Sequence, residues 1–129
     1  MDHDPSQHPS GKLPASCRIR RSVDFARAYA EKSRAGDAHL LVFAARNGLS
    51  HPRLGLSVSK KHGNAVRRSR IKRLLREAFR ISQCDLPSGF DLVLIPRVNS
   101  AALVGDYQKS LKRLAWKIVR RMKDDGSDE

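Results

Sequence analysis

The stretch from Ala65 to Ser82 constrains this chain more than any other part of it. Ile71, Leu74, Leu75, Ala78 and Phe79 recur at steps of three and four, so a helix gathers them into one apolar stripe that must be buried. Arg67, Arg68, Arg70, Lys72, Arg73, Arg76 and Arg80 take the positions the stripe leaves free. The fold has to hold this helix by one side and leave the other to solvent or a partner. A merely solvated face mixes its signs, because like charges at i and i+4 repel. Here the 21 residues from Lys60 to Arg80 contain nine bases and a single acid, Glu77. Guanidinium forks pair bidentately with phosphate oxygens, which lysine cannot do. Lys60, Lys61 and Gly63-Asn64 lie in the lead-in loop, where the first N–H groups of the helix also attract an anion. The pattern reads as a phosphate-binding helix.

The whole chain agrees in charge. Its 129 residues include 26 Lys and Arg against 13 Asp and Glu. Six of those acids (Asp2, Asp4, Asp124, Asp125, Asp128 and Glu129) sit at the extreme ends, leaving residues 5–123 with a net charge of +19. Such a surface repels itself and makes physical sense beside a polyanion. The length suits one domain with a modest core. Residues 1–12, with two Pro, two Ser and a Gly, read as a disordered leader; 13–123 read as the folded domain, and 124–129 as a frayed acidic tail. No apolar run is long enough to span a membrane. Cys17 and Cys84 are 67 positions apart and the five His are scattered, so no zinc cage is expected. Free thiols, and an N-terminus (Met1-Asp-His-Asp-Pro) unlike a signal peptide, point to the cytoplasm.

The remaining elements follow from spacing. Ser22 reads as a helix N-cap with Asp24 at the positive end of the dipole, and Phe25, Ala28 and Tyr29 share one face. Arg34-Ala-Gly-Asp37 ends that helix. His39 to Arg46 reads as a strand and Asn47-Gly48 as the turn after it. Arg53 to Ser59 alternates: Leu54, Leu56 and Val58 lie on one side, Gly55, Ser57 and Ser59 on the other. Pro87-Ser-Gly89 separates the basic helix from Phe90 to Pro96, a strand apolar on both faces in its middle and hence central. A last helix, starting between Ala101 and Asp106, aligns Tyr107, Leu111, Leu114, Ile118 and Met122. The order is α, β, β, α, β, α, with room for another short strand near Leu49 or within 38–59. This is an α+β sandwich of helices against a small sheet.

No catalytic constellation is apparent. The seven internal acids (Asp24, Glu31, Asp37, Glu77, Asp85, Asp91 and Asp106) contain no close pair of the kind that holds Mg²⁺ in a protein nuclease, and no Ser/His/Asp or Cys/His signature or Walker loop is present. His62 suits a loop contact to phosphate, or no contact, better than a general base. A DNA-reading helix mixes its cations with Asn, Gln, Ser and Thr for base edges. This helix has only Ser69 of that kind, so structured RNA fits better than DNA. Phe25, Tyr29 and Phe43 are available to stack single-stranded bases, although their spacing alone suits ordinary core packing better.

The segment Arg53-Leu-Gly-Leu-Ser-Val-Ser-Lys-Lys-His-Gly-Asn-Ala-Val-Arg-Arg-Ser-Arg-Ile-Lys-Arg-Leu-Leu-Arg-Glu-Ala-Phe-Arg80 resembles the protein component of bacterial ribonuclease P. That family has a strand ending in Ser-Lys-Lys, a Gly-Asn-Ala-Val turn and a helix opening Arg-Asn-Arg-x-Lys-Arg-x-x-Arg-Glu. The match extends more loosely from residue 13 to 121, through Arg18-Ile-Arg-Arg-Ser-Val-Asp-Phe25 and Phe90 to Arg97. It departs at Ser69, where the family has Asn; serine lacks the two-ended reach of the amide.

The resemblance implies a ribosomal protein S5 domain 2-like fold, α-β-β-β-α-β-α, with a left-handed crossover through the basic helix. It implies a subunit that binds the catalytic RNA and the 5′ leader of precursor tRNA, assisting removal of that leader by an RNA catalyst that itself holds Mg²⁺. Lys60, Lys61, Asn64, Arg67, Arg68, Arg70, Lys72, Arg73 and Arg76 would then contact the catalytic RNA. Phe25, Tyr29 and Phe43, with Ser57 and Ser59 beside them, would line a cleft for the leader between the first helix and the sheet. A small basic ribosomal protein that binds RNA is the alternative sharing the charge and size, and a DNA-binding regulator comes third.

Overall fold

A computed structural model describes residues 13–126. In chain order these form α1 (Ser22–Ala30), β1 (Arg34–Gly36), β2 (Leu40–Arg46), β3 (Arg53–Leu56), α2 (Ala65–Ser82), β4 (Phe90–Pro96) and α3 (Val104–Gly126). The four strands make one mixed sheet in the order β1-β2-β4-β3. β2 is antiparallel to both β1 and β4, whereas β3 lies parallel to β4. A parallel neighbour needs a long return path, and α2 supplies it.

The central position expected for Phe90 to Pro96 is confirmed. β4 is paired on both sides, and Leu92, Val93 and Leu94 are fully buried. Alternation along β2 and β4 builds two cores. Leu40, Val42, Ala44, Leu54, Leu92 and Leu94 face α2 and α3, meeting Leu75, Phe79, Leu111, Leu114 and Ile118. Phe43, Ala45 and Val93 point to the opposite face, where they meet Ile19, Phe25 and Ala28. Helices therefore cover both faces, two on one side and the short α1 on the other. Gly55 allows α1 its close approach: a Cβ there would stand 2.8 Å from Phe25 Cε1 and 3.0 Å from Ile19 Cδ1.

Several boundaries differ from the pattern reading. Arg21, not Ser22, occupies the N-cap of α1, without a side-chain cap; Ser22 is already helical. The helix stops at Ala30, and Lys32 turns the chain with φ 61°. Arg34–Gly36, expected to terminate that helix, is instead the edge strand β1, so the additional strand precedes residue 38 rather than falling within 38–59. β3 ends at Leu56, although the Ser57 N–H still donates to the Leu94 carbonyl at 3.0 Å. α2 and β4 match their expected limits. α3 begins at Val104, where Asp106 Oδ2 accepts from the Leu103 N–H at 2.9 Å, and runs to Gly126, beyond the boundary at 123. The expected leader at 1–12 and the last residues of the acidic tail lie outside the described residues.

Candidate nucleic-acid interface

α2 is anchored as its stripe requires. Leu75, Ala78 and Phe79 are buried, and Ile71 and Leu74 pack on the same core. Asn64 caps the helix, its Oδ1 accepting from the Arg67 N–H at 2.9 Å. Gly63 precedes it at φ 121°, a conformation natural to glycine, and Arg68 Nε donates to the Gly63 carbonyl at 3.1 Å. A 3-10 turn, Lys60–His62, leads in, with Lys61 accepting no burial and Lys60 exposed beside it. The turn is pinned by His62. Its Nδ1 accepts from the Ser59 N–H at 3.0 Å, and its Nε2 donates to the Pro96 carbonyl at 2.7 Å. His62 is thus a buried strut between the turn and β4, not a loop contact to phosphate.

Charge pairing on the molecule is one-sided. Among the described residues five acids form ion pairs, and their partners are Arg27, Arg53, Arg80, Lys112 and Arg113. None of the partners is Lys60, Lys61, Arg67, Arg68, Arg70, Lys72, Arg73 or Arg76. Glu77, the acid of α2, is taken by Arg80 at 2.5 Å, and that contact holds its carboxyl below the ordinary value despite some burial. Arg76 is half-buried; burial first, then the charges of Arg18 and Arg73, push its guanidinium below its usual value. Repulsion of this kind is relieved by an anion. Arg18 reaches this cluster because residue 18 bridges to Leu54 on β3. Arg18, Lys72 and Arg76 edge a cavity of about 240 Å³ whose apolar wall is Ile19, Phe25, Leu54 and Leu56.

On the α1 face, the Tyr29 and Phe43 rings meet edge-on at 5.1 Å, with an interplanar angle of 87°, and the Arg34 guanidinium lies 5.9 Å from the Phe43 centroid. Tyr29 is 37% exposed and Phe43 only 9%. An ion-pair network fixes α1 beside them. Asp91, fully buried on β4, accepts from Arg53 Nε and Nη2 at 2.7 Å each, from Arg27 at 2.9 Å and from Asn47 at 3.0 Å. Asp24 lies 3.6 Å from Arg53 and 3.7 Å from Arg27.

A sequence profile described as Ribonuclease P matches residues 13–123. The chain belongs to the ribonuclease P protein family. The ribonuclease P protein component of Methylococcus capsulatus is 40% identical over 115 residues, spanning 84% of this chain and 85% of that one. The ribonuclease P protein of Thermotoga maritima superposes with a TM-score of 0.67 at 32% identity, covering 74% of this chain and 96% of its own. That of Staphylococcus aureus gives 0.68 at 34%, covering 81% and 95%.

Within this ribonuclease P protein, the cations expected from the helix motif gather on α2 and its lead-in turn, with Asn64 acting as the cap. Phe25, Tyr29 and Phe43 share the α1 face, and Phe25 also reaches the cationic cavity of Lys72 and Arg76. Ser57 extends the β3 ladder there, but Ser59 stands apart, its Oγ accepting from the Lys61 N–H at 3.3 Å in the turn. The pattern reading overlooked Arg18 as part of the cationic cluster, and it overlooked the Arg27–Arg53–Asn47–Asp91 network. An acid inside the apolar run Phe90 to Ile95 was the available signal, since a charge in a central strand needs partners. Among the described residues no three His, Cys, Asp or Glu gather to hold a metal, and no helix is long and apolar enough to cross a membrane.

Proposed function

We propose that this chain is the protein subunit of ribonuclease P, that its α2 surface binds the catalytic RNA, and that its α1 face receives the single-stranded 5′ leader of precursor tRNA. The observation that carries this is the α2 face on which Arg67, Arg70, Lys72 and Arg73 have no acidic partner among the described residues, in a chain of this family. Chemistry resides in the RNA, which binds the Mg²⁺; in the protein, Asp24 and Asp91, the acids that approach one another through Arg53, are neutralised by arginines. Its residues bind and orient. Cys17 and Cys84 form no disulfide, which suits the reducing cytoplasm. We also assign α2, between the parallel β3 and β4, to the left-handed crossover of the ribosomal protein S5 domain 2-like fold, against the usual right-handed preference.

Combining the protein with in vitro transcribed ribonuclease P RNA and labelled precursor tRNA tests the assignment. The Mg²⁺ needed for cleavage should fall and precursor should be preferred over mature tRNA. If neither happens the reading is lost, and recovery of the protein in stoichiometric amount from washed ribosomes would favour the ribosomal alternative.

The aromatic face gives a finer test. Tyr29→Ala should weaken precursor binding by about 1–3 kcal/mol, the value of one base stacked on a ring, and leave mature tRNA binding unchanged. Equal affinity for precursor before and after the change would remove Tyr29 from the leader site. Phe43→Ala should chiefly lower stability, because that ring is packed beneath Tyr29.

A further inference from the structure

The border of α2 between its apolar stripe and its cationic face also walls a second cavity, on the opposite face of the sheet from α1. About 300 Å³ in volume, it lies between α2 and the segment 100–103 that leads into α3. Ile71, Leu74, Leu103 and Tyr107 supply apolar surface, and Arg67 and Arg70 edge it. The size is at the small end of the range for ligand clefts, about 300–1,000 Å³. Two features separate it from a packing gap. Tyr107 lines it, and its hydroxyl, which is not one of the enclosed polar atoms, takes no hydrogen bond from a described residue and is open to a group in the cavity. The Arg67 and Arg70 guanidiniums likewise have no partner among the described residues. Leu103, 60% exposed, stands at the border as apolar surface left open to solvent.

Apolar walls, one hydroxyl and two cations at the rim suit a flat ring with polar edges and a negative charge on either side. We propose that this slot takes one unstacked nucleobase of the catalytic RNA, with the flanking phosphates on Arg67 and Arg70. The inference rests on the reading that α2 binds that RNA. It commits to the catalytic RNA because the slot opens beside α2, whereas the face assigned to the leader lies across the sheet. Bases in loops and bulges are free to be splayed out in this way, and proteins read RNA largely through such positions. Asp106, which follows in the chain, is turned to the Leu103 N–H and leaves the cations unopposed.

Leu103→Trp and Ala101→Trp each set an indole against the slot at an exposed position, so neither should disturb folding. Binding of the full chain to in vitro transcribed ribonuclease P RNA is measured over a range of salt, with and without precursor tRNA. Each variant should bind the RNA alone about 10-fold or more weakly, as expected from loss of one stacked base. The slope of affinity against salt should be unchanged, because both guanidiniums remain. Tyr107→Phe should cost about 3–10-fold, the worth of one hydrogen bond. Wild-type affinity in both tryptophan variants overturns the slot, as does weakening seen only when precursor tRNA is present. Wild-type protein that fails to prefer ribonuclease P RNA over an unrelated RNA overturns instead the reading on which the slot rests.

Discussion

Replacing Asp91 by Asn should lower the unfolding free energy by about 3–5 kcal/mol, the usual cost of removing one partner from a buried ion pair. The carboxylate is fully buried and receives four hydrogen bonds, two of them from the fork of Arg53. Asparagine keeps the shape but turns an amide toward guanidinium donors, leaving Arg53 without its counter-charge. In a domain stable by roughly 5–15 kcal/mol this is a large fraction of the total. Arg27→Ala should cost far less, about 1 kcal/mol, because Arg27 is 43% exposed and water replaces its contact. The pH dependence separates the two further. Burial raises the Asp91 pKa, but the hydrogen bonds from Arg53 and Asn47 and the charges of Arg53 and Arg27 outweigh it, so the folded value lies below the ordinary 3.8. The stabilisation is therefore fully present above the unfolded value and is lost as pH falls through the lower, folded one. Urea unfolding followed by circular dichroism should show this acid-side loss in the wild type and a weaker one in Asp91→Asn. An unchanged midpoint at neutral pH would mean the network contributes nothing net.

What could be read from the sequence depended on whether an element carries its own periodic signal. α2, β4 and α3 did, because their apolar positions repeat over two or more turns or fill a central strand. β1 did not. Arg34–Gly36 is three residues long and becomes a strand only because β2 offers it an edge. The same holds at the start of α1, where Ser22 has a cap-forming side chain but Arg21 takes the position. The cationic face of α2 was legible as a concentration of arginines on one helix. Its extension to Arg18 was not, since a bridge to Leu54 brings together residues far apart in the chain. Aromatic spacing favoured core packing over stacking, and burial divides the rings: Phe43 belongs mainly to the core, while Tyr29 offers its ring to solvent.

The second large effect concerns that arginine face. Arg67→Ala, Arg70→Ala and Arg73→Ala combined should flatten the slope of log affinity for ribonuclease P RNA against log salt by about 2–3, since each lost phosphate contact is worth about 0.7–0.9. At about 0.1 M salt this amounts to roughly a hundredfold loss of binding. These three are chosen because all are exposed and none is paired within the described protein. Arg68 is tied to the Gly63 carbonyl and Arg76 is half-buried, so their loss would also loosen the fold. Arg80→Ala is the control: Arg80 is held by Glu77, and its removal should leave the salt slope almost unchanged. The triple variant should be no less stable than the wild type. Arg67, Arg70 and Arg73 are spaced i, i+3 and i+6, so neighbouring like charges repel along one helix face, and alanine is the best helix former. A protein that melts at the same temperature or higher, yet binds RNA far more weakly and with a shallower salt slope, would mean this face is maintained for phosphate at the expense of stability. An unchanged slope would mean that these side chains do not touch phosphate, and the interface would have to lie elsewhere on the chain.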